Sequence, residues 1–130
     1  MRAEAIARAL AEAVRVHAPT GVIASSGPGA YLNLRAPRGT WRSDLNEFFA
    51  GVRSPDDVAS LATFLLDELQ AEVGWLGHAA FPGFPPESRA ISSVEPLATV
   101  DGPILTLGWS RSDGWVFILA RVAVSDLELG

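Results

Sequence analysis

The sequence predicts an α+β fold in which helices pack on one face of an antiparallel sheet. Residues 54–73 place apolar side chains at helical spacing. Residues 91–124 contain three β-rich segments separated by the turn sequences VDGP and SRSDG. Residues 21–35 contain two shorter segments on either side of SSGPG. The predicted sheet therefore comprises an N-terminal hairpin and a C-terminal three-stranded meander, within one domain over residues 1–130.

The first predicted element is an amphipathic helix over residues 2–17, whose apolar residues share one face. Pro19 ends this helix, because the residue before a proline is disfavoured in helical conformation. Residues 21–25 and 30–35 then predict the hairpin, and the second of these strands alternates apolar with polar residues.

A polar loop leading into a short helix is expected between residues 36 and 53. Ser43 is its expected N-cap, and Gly51 its expected end. Phe48 and Phe49 are adjacent and cannot both face the same neighbour, so we expect one to pack in the core and the other to lie nearer the surface.

The long helix over residues 54–73 is the best-specified element. Ser54 is a suitable N-cap, Pro55 suits the first helical position, and Gly74 is expected to end the helix. The residues expected to face the core are Val58, Leu61, Ala62, Leu65, Leu66, Leu69 and Val73.

The other side of the long helix is acidic, and no basic residue lies in the helix. Its carboxylates are Asp56, Asp57, Asp67, Glu68 and Glu72. Phe64 is expected to project among them instead of into the core.

Residues 74–90 form the least regular stretch, rich in proline and glycine and containing four aromatic or imidazole side chains: Trp75, His78, Phe81 and Phe84. Two interpretations remain open. These side chains either fasten an irregular connection onto the core, or they line a binding groove.

In the C-terminal meander, Pro96 cannot donate a hydrogen bond to a neighbouring strand, which predicts that the first strand lies at a sheet edge or is broken there. Residues 115–124 are apolar on both faces, so we expect the last strand at the centre of its sheet.

Composition excludes several functional classes. The formal net charge is -5 and the ten basic residues, all arginines, are scattered, which argues against general nucleic-acid binding. There is no cysteine, and the two histidines do not have metal-binding spacing, so we predict no metal, no cofactor and no catalytic residues. The absence of a signal peptide or an apolar stretch of membrane-spanning length predicts a soluble, cytoplasmic protein.

The first functional hypothesis is a non-enzymatic protein-protein interaction module, of the inhibitor or immunity, chaperone or assembly-adaptor class. Its expected partner is a protein that contacts the acidic helix face, and the charge of this face favours a basic one. The predicted partner-binding residues are Phe64, Asp57, Asp67, Glu68 and Glu72.

Two alternatives remain open. The protein could bind a small ligand, or be a small enzyme, with a pocket under the aromatic loop formed by Trp75, His78, Phe81 and Phe84. It could instead be a structural subunit of a larger assembly, because 48% hydrophobic content is high for so small a domain and leaves apolar surface to be buried in a homo-oligomer or against neighbouring subunits. Nucleic acid and membranes are not expected partners.

Overall fold

The computed structural model describes residues 1–82 and 94–129. It confirms the α+β class. In chain order the elements are α1 (Glu4–His17), β1 (Ile23–Ser26), β2 (Tyr31–Ala36), β3 (Gly39–Asp44), α2 (Leu45–Phe48), α3 (Pro55–Gly77), β4 (Glu95–Asp101), β5 (Ile104–Arg111), β6 (Gly114–Ala123) and a final 3₁₀ turn (Val124–Leu127). None of the described helices combines the length and apolarity required to cross a membrane.

The strands form two antiparallel sheets of three strands each, in the orders β1-β2-β3 and β4-β5-β6. Helix α1 packs against β1 and β2 of the first sheet and against β6 of the second. Helix α3 lies along β4 and also contacts β2 and β3. The two long helices therefore join the sheets through a common apolar core, whose largest fully buried side chains include Trp109, Phe49 and Ile6.

Strand β3 occupies part of the stretch predicted as loop, so that prediction was wrong for residues 39–44. β3 pairs with β2 from Ala36↔Gly39 to Tyr31↔Asp44. Its side chains are exposed or half-buried, which removes the apolar alternation that identifies a strand in a sequence. The N-cap of α2 is Asp44, which accepts a hydrogen bond from the Asn46 backbone N–H, and is not the predicted Ser43.

The order of the second sheet confirms one prediction and corrects another. β4, which contains Pro96, is an edge strand as predicted. The prediction that residues 115–124 form the central strand was wrong, because β5 is central and β6 is the other edge. The register between β5 and β6 shifts twice. The core-facing residues of β6 therefore do not alternate regularly along the strand, and its sequence looks apolar on both faces.

Helix α3 begins as predicted and ends later. The Ser54 hydroxyl accepts a hydrogen bond from the Asp57 backbone N–H, and Pro55 is the first helical residue. The helix continues through Gly74 to Gly77, and His78 ends it in the left-handed conformation with φ of 52°. The extra turn buries Leu76, and this packing outweighs the low helix propensity of glycine.

Thr63 connects α3 to the exposed edge of β4. Its hydroxyl oxygen accepts a hydrogen bond from the Ala98 backbone N–H at 3.0 Å and donates to the Ala59 carbonyl oxygen at 3.0 Å. A side chain of the helix thus satisfies a backbone group that an edge strand would leave unpaired. This contact fixes the exposed side of α3 relative to the start of β4.

Folding changes the acidity of the Glu4 carboxyl group at the start of α1. The hydrogen bond from the Glu4 backbone N–H is the main cause of a lowered pKa of Glu4; burial opposes it, and the hydrogen bond from Asn46 and the charges of Arg2 and Arg8 lower the pKa further. The Glu4 carboxylate accepts from Asn46 Nδ2 at 3.4 Å, and lies 3.8 Å from the Arg2 guanidinium. The folded state therefore favours the ionised form of Glu4.

We expect Glu4→Gln to destabilise the protein more at pH 7 than at pH 3. A carboxyl group whose pKa is lowered by folding stabilises the folded state above its ordinary value of 4.5, and loses that contribution as the pH falls through the lowered value. Urea unfolding of the unmodified protein and of Glu4→Gln at the two pH values measures the difference in stability. An equal loss of stability at both would contradict an electrostatic role for Glu4.

Candidate partner-binding surface

One side of α3 is exposed along most of the helix, and we call it the α3 stripe. At about 100° per residue, positions 71 and 75 each point within about 20° of position 64, on either side of it. All of the stripe residues are exposed: Asp57, Ser60, Phe64, Asp67, Glu68, Ala71 and Trp75. Glu72, the fifth predicted partner-binding residue, is half-buried beside the stripe.

Phe64 is the most exposed aromatic side chain in the described structure, with 69% of its surface accessible. The next residue, Leu65, is completely buried. The predicted side of α3 therefore packs in the core. The prediction that Phe64 projects away from the core is confirmed. Asp67 and Glu68 lie one turn further along the same side, so the phenyl ring stands beside negative charge.

A shallow groove runs from Phe64 towards the start of β4. A cavity of about 270 Å³ is lined by Thr63, Phe64, Asp67, Glu95 and Pro96. A second cavity, of about 400 Å³, shares Glu95 and Pro96 and extends over the β4–β5 pair as far as Arg111. Glu95 adds a carboxylate from a different element to the acidic surface, which the sequence did not reveal.

Trp41 lies beside the middle of the α3 stripe. Its indole Nε1 donates a hydrogen bond to the Glu68 carboxylate at 3.2 Å, and most of the ring is covered by the protein. This bond orients Glu68 while leaving its second oxygen available. Because Trp41 belongs to β3, which was predicted as loop, sequence reasoning could not place it here.

The C-terminal end of the α3 stripe is covered by an arginine. The Arg38 guanidinium lies 4.4 Å from the Trp75 ring centre, and Nη1 donates to the Trp75 carbonyl oxygen at 3.1 Å and to His78 Nδ1 at 2.6 Å. Because arginine has no acceptor atom, His78 Nδ1 is the acceptor in this contact. Positive charge therefore closes this end of an otherwise acidic surface.

The residues predicted to line a ligand pocket do not all come together. Trp75 and His78 meet at Arg38, and both are exposed. Phe81 is instead buried, and packs edge-to-face against Trp109 with ring centres 5.9 Å apart. Phe84 lies outside the described residues. Phe81 thus fastens the chain to the core, while Trp75 and His78 belong to the surface.

No protein-family model matches the chain, and comparisons with curated proteins and with solved structures find no match either. Within residues 1–82 and 94–129, no three histidine or carboxylate side chains converge in a way that could hold a metal ion. The function is therefore inferred from the shape, exposure and charge of the surfaces described above.

Proposed function

We propose that the protein is a non-enzymatic binding module that docks a basic segment of another protein on the α3 stripe. The observation that carries this proposal is the exposure of Phe64, 69% accessible, among carboxylates from both α3 and β4. The absence of cysteine fits a reducing compartment, and we propose that the module acts in the cytoplasm.

Phe64 supplies the apolar part of the contact. Moving a phenylalanine side chain from water into an apolar interface contributes about 1.5–3 kcal/mol. Residues that dominate binding energy are commonly large side chains in the centre of an interface, surrounded by polar groups that exclude water. Phe64 fits this description, because Asp67 and Glu95 line the groove beside it.

The carboxylates supply orientation and partner selectivity. Ion pairs in the described residues involve Arg2 and Arg111 and none of the stripe carboxylates, so Asp57, Asp67 and Glu68 keep their charge for a partner. An acidic surface accelerates encounter with a basic partner and disfavours an acidic one. The proposed partner segment therefore carries arginine or lysine around an aliphatic side chain that packs on Phe64.

A photo-crosslinking amino acid placed at position 64 tests this proposal in native cells. We expect cross-links to one partner, at a peptide of net positive charge. The matched control is the same amino acid at Val16, which is 71% exposed on a different helix, α1. Equal labelling of the same proteins from both positions, or cross-links from position 64 only to other copies of this chain, would contradict the proposal.

Once the cross-linked segment is identified, we expect Phe64→Ala to weaken its binding about 30-fold, the loss typical of a dominant interface residue. Val16→Ala should leave affinity unchanged. Affinity should also fall as NaCl is raised from 50 to 500 mM, because exposed ion pairs are screened. Isothermal titration calorimetry measures all three, and binding that is insensitive to both Phe64 and salt would be evidence against this docking surface.

A further inference from the structure

The first sheet has an outer face that points away from α1. Its inner face contributes buried Ala24, Leu32 and Leu34 to the core. The outward positions alternate with these and form two three-residue cross-strand rows beside the pair Tyr31 and Asp44. One row is Ile23, Arg35 and Thr40, and the other is Ser25, Asn33 and Arg42.

This outer face is positively charged in a protein of net charge -5. Arg35 and Arg42 are exposed, and neither belongs to the ion pairs formed among the described residues. Asp44, two residues beyond Arg42 on β3, accepts a hydrogen bond from the Asn46 backbone N–H at 3.1 Å and forms no ion pair with either arginine among the described residues. The two guanidinium groups therefore keep their charge for a ligand.

Arg42 is held in place by an aromatic ring. Its guanidinium carbon lies 3.7 Å from the centre of the Tyr31 ring. Stacking of this kind fixes the plane of the guanidinium and leaves its edge N–H groups free to donate. Less side-chain entropy is then lost when Arg42 binds an anion.

The face is also a trough. A cavity of about 440 Å³ is lined by residues of both rows, from Arg42 and Asn33 to Ile23 and Arg35. A second cavity of about 360 Å³ begins at the same Ile23 and Arg35 and continues to Pro37. The depression is therefore longer than a single compact anion needs, and its shape favours an elongated occupant.

We propose that this trough binds an extended acidic segment of a second polypeptide, through carboxylates on alternate residues. Arg35 and Arg42 occupy diagonal positions on paired strands, which are about 7–8 Å apart. Alternate side chains of an extended chain are separated by about 7 Å. Carboxylates at positions i and i+2 of the segment can thus reach one arginine each.

The remaining polar side chains suit the rest of such a segment. Asn33 lies in the row beside Arg42, and its amide can donate to and accept from a peptide group. Ser25 and Thr40 place hydroxyl groups at the sides of the trough. This trough shares no residue with the α3 stripe, so the protein would join two partners of opposite charge.

Fluorescence anisotropy with a labelled peptide Gly-Glu-Thr-Glu-Val-Gly tests the inference directly. We expect saturable binding that falls at least about tenfold in Arg35→Ala/Arg42→Ala, because each charge-assisted hydrogen bond contributes about that factor. Arg121→Ala is the matched control, an exposed arginine on a strand of the other sheet, and should bind like the unmodified protein. Tyr31→Ala should weaken binding less than the double substitution.

Two control peptides distinguish the effect of the carboxylate charges from the effect of their spacing. Gly-Gln-Thr-Gln-Val-Gly should not bind, and Gly-Thr-Glu-Glu-Val-Gly should bind more weakly than the alternating peptide. Equal affinity for all three peptides, or no loss in Arg35→Ala/Arg42→Ala, would overturn the inference. A concentration-dependent dimer that disappears in the double variant would overturn it as well, by assigning the trough to a second copy. Phe64→Ala should bind the alternating peptide normally, so failure here is distinguishable from failure of the α3 stripe.

Discussion

Leu65→Asp is expected to unfold the protein, whereas Phe64→Asp is expected to leave it folded. Leu65 is completely buried and Phe64 is 69% exposed, although the two residues are adjacent in α3. Removing a buried leucine and leaving an unpaired charge in its place costs about 5 kcal/mol or more. That loss is comparable with the total stability of many domains, about 5–15 kcal/mol.

Phe64→Asp should reduce stability by about 1 kcal/mol or less, because surface substitutions have small effects and repulsion from Asp67 and Glu68 adds only a few tenths. Circular dichroism melting curves of both variants measure the difference. Phe64→Gln adds no charge, so its stability shows how much of the effect of Phe64→Asp comes from losing the ring and how much from charge repulsion. A Phe64→Asp protein that is as unfolded as Leu65→Asp would show that the ring stabilises the fold and would remove the basis for the α3 stripe.

Helix α3 could be predicted because its determinants are local. The cap at Ser54, the proline at position 55 and the helical spacing of the apolar residues all lie within the helix. The exposure of Phe64 follows from the same spacing. The end of the helix is determined by distant contacts. Leu76 is buried against other elements, and this packing extends α3 beyond Gly74.

The surroundings of Phe64 could not be predicted, because they come from distant parts of the chain. Glu95 reaches the groove only because β4 lies along α3, a contact fixed by the hydrogen bond between Thr63 and the Ala98 backbone N–H. Pro96 predicted an edge strand correctly. Nothing in one sequence says which helix will cover that edge.

The basic trough was missed for a different reason. Arg35 and Arg42 look like two scattered arginines until β3 is recognised as a strand paired with β2. The residues of β3 are mostly polar, and the strand is specified by pairing and not by an apolar pattern. A charge cluster built across strands therefore stays invisible when one of those strands is interpreted as a loop.

The corrected position of β6 identifies the most constrained glycine among the described residues. Register shifts between β5 and β6 occur on both sides of the Gly108–Trp109 pair of residues. At Gly108 the β6 backbone comes so close that an added Cβ would overlap the Phe117 carbonyl oxygen and lie 3.0 Å from the Ile118 Cα atom. The obstacle is backbone, which cannot move aside without separating the two strands.

We therefore expect Gly108→Ala to destabilise the protein by about 3 kcal/mol, at the upper end for overpacking by one methyl group. Gly27→Ala is the matched control, because the atoms nearest its added Cβ belong to side chains, Asn33 Nδ2 at 3.3 Å and Tyr31 Cβ at 3.5 Å. Its cost should be about 1 kcal/mol or less. Urea unfolding of both variants gives the comparison. Equal stabilities would mean that β5 and β6 are further apart at Gly108. A feature other than this close approach would then cause the register shifts between the two strands.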